Sequence, residues 1–153
     1  MIFWVTLETA VTEKELAGLR FECSGCGDCC RSRGRYAHVY VNDGEQRALA
    51  RHLDMSPAEF RAGFTFVDED DWVQLTTDGE ACCFLDRRDN RCLVYDARPV
   101  QCRTFPFWRD LVGRRGWRAE AGRLCEGVGE GEHVSREQAE LLMAEKEKAD
   151  GED

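Results

Sequence analysis

Nine cysteines in 153 residues are the side chains with the most chemistry to offer. Cys23, Cys26, Cys29 and Cys30 crowd into "CSGCGDCC", Cys82 and Cys83 are neighbours, and Cys92, Cys102 and Cys125 stand apart. The first three follow C-x2-C-x2-C. A C-x2-C turn brings two sulfurs to one side of a tight loop, and three thiols in series can wrap one object from three directions. A [4Fe-4S] cluster is gripped in this way from a single loop. Structural zinc more often takes two separated C-x2-C pairs, and this chain has no second pair. Cys82, Cys92, Cys102 and Cys125 must therefore be gathered by the fold. Neighbouring side chains diverge, by about 100° on a helix and to opposite faces on a strand. Cys29 and Cys30 are thus expected to serve different sites, or to leave one thiol spare, and the same holds for Cys82 and Cys83. Eight thiols would complete two four-thiolate sites or one larger cluster, with the ninth left over.

A disulfide framework fits poorly, because the cysteine count is odd and no export signal is visible. The opening "MIFWVTLETAVTEKEL" is apolar at first but has no basic region, and Glu8, Glu13 and Glu15 follow at once. A cytoplasmic protein with reduced thiols is the expectation. No apolar run approaches the roughly 18 residues of a membrane span. The net charge of −9 argues against a general binder of nucleic acid or of an anionic membrane. Thiolate ligands would deepen that charge, since a divalent metal held by four thiolates keeps two negative charges.

The other candidates carry less. His38, His52 and His133 read as ordinary surface or part-buried histidines, able to replace a thiol only if a cysteine is free. "DEDD" at 68–71 lacks the spaced acids and Gly hinge of a calcium loop and reads as a solvated acidic turn. "GVGEG" at 127–131 lacks the Lys of a phosphate loop and is flanked by Glu126, Glu130 and Glu132; a flexible turn that lets Cys125 reach its site is expected. Arg98 and Arg103 flank Cys102. They can pair with Asp96 or Asp86, or stand behind the sulfurs and offset thiolate charge. Tyr95, Phe105, Phe107 and Trp108 are expected to pack around the site, with an exposed "FPFW" partner-binding patch as the alternative.

The elements that must position these groups are short. "FWVTL" reads as a strand, and "AHVYVN" alternates as a second one. Asn42 or Asp43 caps a helix over about 44–53 with Ala48, Leu49 and Leu53 on its apolar face. Ser56, Pro57 and Glu59 start another helix, which ends near Gly63. "WVQLTT", "ACCFLD" and "RCLVYD" read as strands, the last two joined by "RRDN". "ARPVQCRTFPFW" holds a turn and one helical turn between prolines. Ser135 and Gln138 make a capping box for a last helix near 136–148, and the tail "ADGED" is expected to be disordered. The fold class expected is α+β: a small, loop-rich, metal-stapled single domain with a few short strands and three to four short helices. Residues 1–131 would form the metal-binding domain and 132–153 a C-terminal helix and acidic tail.

"CSGCGDCC", then "CCFLDRRDNRCLVYDARPVQCRTFPF", then "CEGVGEG", resembles the CxxCxxCC, or YkgJ-type, cysteine-cluster family, described as a zinc- or iron-chelating domain. The likeness covers about residues 20–131. It rests on the order of four clustered cysteines, C-x-F-L, C-x-x-Y, R-P-x-x-C-R, F-P and a glycine-rich end; Glu126 stands where the family often has Pro. The resemblance implies metal ligation by Cys23, Cys26, Cys29, Cys30, Cys82, Cys92, Cys102 and Cys125. Cys82 rather than Cys83 fits C-x-F-L, which leaves Cys83 over. Zinc or iron, including an Fe–S cluster, is the implied cofactor. The functions that follow are metal handling, electron transfer or an accessory role to another enzyme, with a protein partner. Two alternatives differ in class: a cluster-dependent protein-modifying enzyme, akin to flagellin lysine methylase in the cysteine domain alone, and a structural zinc module for protein contacts.

Overall fold

In the computed structural model the described residues are 19–31, 38–112 and 117–151. The strand expected at "FWVTL" lies outside them. In chain order the elements are β1 (Arg20–Phe21), α1 (Asp43–His52), α2 (Pro57–Phe64), β2 (Thr65–Val67), β3 (Val73–Leu75), β4 (Thr77–Asp78), β5 (Ala81–Cys82), β6 (Leu85–Asp86), β7 (Arg91–Cys92), α3 (Val100–Thr104), α4 (Arg109–Val112), α5 (Trp117–Leu124), β8 (Val128–His133) and α6 (Arg136–Asp150). Single 3-10 turns form at Asp28–Cys30 and Tyr95–Ala97. The class is α+β, with the strands in short antiparallel pairs: β1 with β8, β2 with β3, β4 with β5, and β6 with β7. The chain divides into two compact units, one of residues 25–103 with 148–153 and the other of residues 1–24 with 104–147.

The larger unit is built on two capped helices. Asn42 accepts from the Glu45 amide while the Glu45 carboxylate accepts from the Asn42 amide, each at 2.9 Å. Ser56 and Glu59 make the same reciprocal pair at the start of α2, with Pro57 in the first turn. Two of the four orphan amides at each helix start are thereby satisfied. The buried stripe of α1 is Gln46, Leu49 and Ala50, whereas Ala48, expected inside, is exposed. Gln46 hides this register in the sequence because it is polar. Buried, it is satisfied at both ends: its amide donates to the Val41 carbonyl at 2.9 Å and accepts from Arg61 Nε at 2.7 Å. Val41, Leu49, Ala50, Phe60, Leu75, Phe84 and Val94 form the core. Phe60, Phe64 and Phe84 pack as a trio with centroids 5.0–6.3 Å apart. Fully burying one such side chain contributes about 2 kcal/mol.

Residues 39–41 run beside β3 through an isolated bridge, short of the strand expected at "AHVYVN". The Val41 amide donates to Val73 and the Leu75 amide to Val39, and Tyr40 bridges Gln74. "ACCFLD" does not form one strand. It splits into β5, paired back to β4, and β6, paired forward to β7.

In the smaller unit Phe107 stacks on Trp117 at 5.9 Å and meets Phe21 edge-on at 5.6 Å. Phe107 and Trp108 are buried, so "FPFW" is a core segment of this unit and not an exposed patch. Ser135 and Gln138 cap α6 reciprocally as expected. That helix runs on through Asp150, into the segment expected to be disordered. "GVGEG", expected as a flexible loop, falls in β8 and its approach. A Cβ on Gly127 would sit 1.9 Å from the Glu22 carbonyl oxygen, so only glycine permits this pairing.

Candidate metal centre

The first cysteine loop is docked onto the β6–β7 hairpin. Gly27 has φ 76°, a left-handed value that suits glycine. A Cβ there would lie 2.4 Å from the Asn90 carbonyl oxygen at the hairpin turn. Asn90 itself holds φ 55°, which Asn tolerates better than most residues. Arg31 closes the seam. Its Nη2 donates to Asn90 Oδ1 at 2.6 Å, its Nη1 pairs with Asp28 at 3.3 Å, and its backbone bridges Ala81 beside Cys82. The turn at Asp28–Cys30 thus rests against both the segment that carries Cys82 and Cys83 and the hairpin that carries Cys92.

The sulfurs respond to one another. The Cys30 thiol, with one proton to give, hydrogen-bonds to Cys29 or to Cys92. That hydrogen bond, against the upward push of burial and helped by the Arg98 guanidinium, brings Cys29 down to about 7. Cys92 comes to about 7 for the same first reason, and Arg98 again contributes. Cys30, which has both as acceptors within reach and is partly buried, is pushed far up. Cys82 and Cys83 repeat the pattern. Cys82 donates and is pushed up, while Cys83 accepts from Cys82, also interacts with Thr76, and falls to about 7. Burial raises Cys102, and negative charge at Cys29 and Cys92 raises it further. Charge on Cys92 is felt at Cys83, and charge on Cys102 at Cys82. Six thiols of the larger unit therefore share one electrostatic neighbourhood.

Adjacent thiols meet here instead of diverging. Cys29 and Cys30 sit on a single 3-10 turn, and Cys82 and Cys83 straddle the end of β5, so neither pair has the regular geometry behind the divergence rule. Cys83, left over in the sequence, lies among the others, packed with Cys82 and Cys92 against the core. Cys26 is half-buried in the same loop.

The supporting groups include two that the sequence did not single out. Glu45 accepts from the Val100 amide at 2.8 Å with the oxygen its capping role leaves over, which ties α1 to the helix of Cys102. Gln101, next to Cys102, accepts from the Tyr40 amide at 3.1 Å and donates to the His38 carbonyl. N-x-x-E at residues 42–45 is a legible cap, but its second acceptor has no sequence signal. Arg98 lies over the Tyr95 ring at 3.7 Å and donates to the Tyr95 carbonyl at 2.9 Å. Tyr95 is itself half exposed. Asp86, one of the partners expected for Arg98, pairs with Arg88.

In the smaller unit, the residues on both sides of Cys23 are tied to those that follow Cys125. The Glu22 amide donates to Gly127 at 3.1 Å, and the Ser24 hydroxyl donates to Glu126 at 2.6 Å. Cys125 is buried and Cys23 exposed.

His38 Nδ1 lies 2.8 Å from Gln74 Oε1, and His52 is exposed at the end of α1. Among the described residues, no three His, Cys, Asp or Glu side chains are grouped so that they could hold a metal ion. The donor chemistry nevertheless fits a soft metal. Thiols that share protons across S–H···S contacts offer paired sulfurs, and binding would release those protons.

Comparison with known proteins points to a metal-chelating domain. Residues 22–126 match the model of the CxxCxxCC family, "Putative zinc- or iron-chelating domain". The chain belongs to that family. An uncharacterized protein of Methanocaldococcus jannaschii is 26% identical over 92 residues, which are 60% of this chain and 47% of that protein. The chain thus spans about half the length of that curated relative. No solved structure matches it. No helix among the described residues is long and apolar enough to cross a membrane.

Proposed function

We propose that this member of the CxxCxxCC family holds iron in one or two thiolate-ligated Fe–S centres and serves electron transfer or metal handling, or assists another enzyme. One observation carries the reading: Cys30 lies within hydrogen-bond reach of Cys29 beside it and of Cys92 from a distant segment. The C-x2-C-x2-C spacing adds the preference for iron over zinc. Cys23, Cys26, Cys29, Cys30, Cys82, Cys92, Cys102 and Cys125 are the proposed ligands, with Cys83 as a bystander thiol. The centre, when bound, would supply one-electron chemistry. The chain's own residues fix its setting: Gly27 and Arg31 hold the loop to the hairpin, Glu45 and Gln101 hold the helix of Cys102, and Arg98 offsets thiolate charge.

The test is iron, zinc and acid-labile sulfide analysis on protein purified without oxygen, with a visible spectrum. Iron with matching sulfide and absorbance near ~400 nm from thiolate–iron charge transfer is the expected result. Zinc without sulfide would overturn the Fe–S reading.

A further inference from the structure

The sheet that flanks the thiol region has a second face that the metal reading does not use. Phe66 and Tyr40 both pair with Gln74, one from each side of β3, so the three side chains share a face. Trp72 lies two residues before Gln74, and by strand alternation belongs to the same face. Tyr40, Phe66 and Trp72 are 39%, 44% and 44% exposed, a large apolar display for one small sheet. Tyr40 and Trp72 meet edge-to-face at 5.8 Å.

This platform is rigidly built. Gln74 is buried in its middle, with His38 on its oxygen at 2.8 Å and Asp68 on its nitrogen at 2.6 Å. The other Asp68 oxygen accepts from the Asp70 and Trp72 amides at 2.9 and 3.0 Å, which fixes the turn that presents Trp72. Glu69, Asp70 and Asp71 are exposed along that turn. Asp68 and Asp70 are close enough to Tyr40 to raise its phenol, after the effect of burial.

Aromatic faces on sheets stack nucleic-acid bases when basic residues surround them. Four consecutive acids here would repel phosphate, and anionic lipid as well. Face-to-face contact between two copies would oppose the same acids. Aromatic rings rimmed by carboxylates instead favour a cation that is flat and can pair with carboxylate, which describes guanidinium. We propose that the Tyr40–Phe66–Trp72 face is a docking surface for an arginine-bearing segment of a protein partner.

The test is fluorescence anisotropy of a labelled acetyl-GRGRGRG-amide peptide titrated with the full chain at low salt. Saturable binding is expected, weaker by about tenfold in Trp72→Ala for the loss of one cation–π contact. Weakening and a flatter salt dependence are expected in the Asp70→Asn/Asp71→Asn double variant. The same peptide with citrulline in place of arginine should not bind. Tyr40→Leu, which keeps an apolar residue at that position, repeats the ring test if Trp72→Ala does not fold. Equal binding of the citrulline peptide, undiminished binding by both ring variants, or no binding at millimolar protein overturns the proposal. So would a concentration-dependent dimer of the full chain that Trp72→Ala abolishes, since a second copy would then be the occupant.

Discussion

One carboxylate, Glu45, accepts from the Asn42 amide at 2.9 Å and from the Val100 amide at 2.8 Å. The first bond caps α1, and the second anchors the helix of Cys102, 55 residues further along the chain. Glu45→Ala leaves two backbone donors without their charged acceptor. Hydrogen bonds to charged groups contribute more than neutral ones, and a loss of about 2 kcal/mol is expected in denaturant unfolding of the metal-free protein. A loss no larger than that of an exposed surface substitution would show that the carboxylate does not hold α3.

Gly27 and Gly25 both adopt left-handed backbone, with φ 76° and 73°, but only Gly27 has a neighbour in the way of a side chain. Gly25→Ala should cost about 1 kcal/mol from backbone strain alone and keep the bound metal. Gly27→Ala adds the collision with Asn90, lifts the cysteine loop from the hairpin, and should lower metal content per chain severalfold. Equal metal content in the two variants would contradict the docking of the loop by Gly27.

Cys92 accepts from Cys30, whereas Cys83 accepts from Cys82 and interacts with Thr76. Cys92→Ser should lose most of the metal. Cys83→Ser should retain it, if Cys83 is the bystander that its sequence position suggests. Loss in Cys83→Ser with retention in Cys82→Ser would exchange their roles, and the measurement is metal per chain after anaerobic purification.

The Glu59 carboxyl is held below the ordinary range, first by the Ser56 amide and then by the Ser56 hydroxyl. A depressed folded-state value means stabilisation that is present above the unfolded carboxylate range, near about 4.3. It is lost as pH falls through the folded value. Wild type should therefore exceed Glu59→Gln in unfolding free energy at pH 7, and the difference should shrink at pH 3. A difference constant across that interval would assign the effect of Glu59 to something other than its charge.

Much of this was readable from residue order, and the failures share a cause. The caps at Ser56 and Ser135 were legible because each is a local pattern four residues long, and the first cap was narrowed to Asn42 or Asp43. The α+β class followed from the same short periodic segments. Gln46 misled because a polar residue breaks an apolar stripe, and only tertiary partners reveal why it is buried. The split of "ACCFLD" into two hairpins comes from local pairing back to Thr77–Asp78 and forward to Arg91–Cys92, which two-residue strands do not announce. The divergence expected at Cys29–Cys30 and Cys82–Cys83 assumed regular strand or helix, whereas a 3-10 turn and a strand end bring the thiols together. The glycines after Cys125 read as flexibility, and their purpose is close approach to Glu22.

The most direct measurement is X-ray absorption at the metal edge of protein purified without oxygen. An all-sulfur first shell at about 2.3 Å, the length of a metal–thiolate bond, is the expected result. A first shell dominated by nitrogen or oxygen, or protein that carries no metal at all, would contradict a centre held by the clustered cysteines.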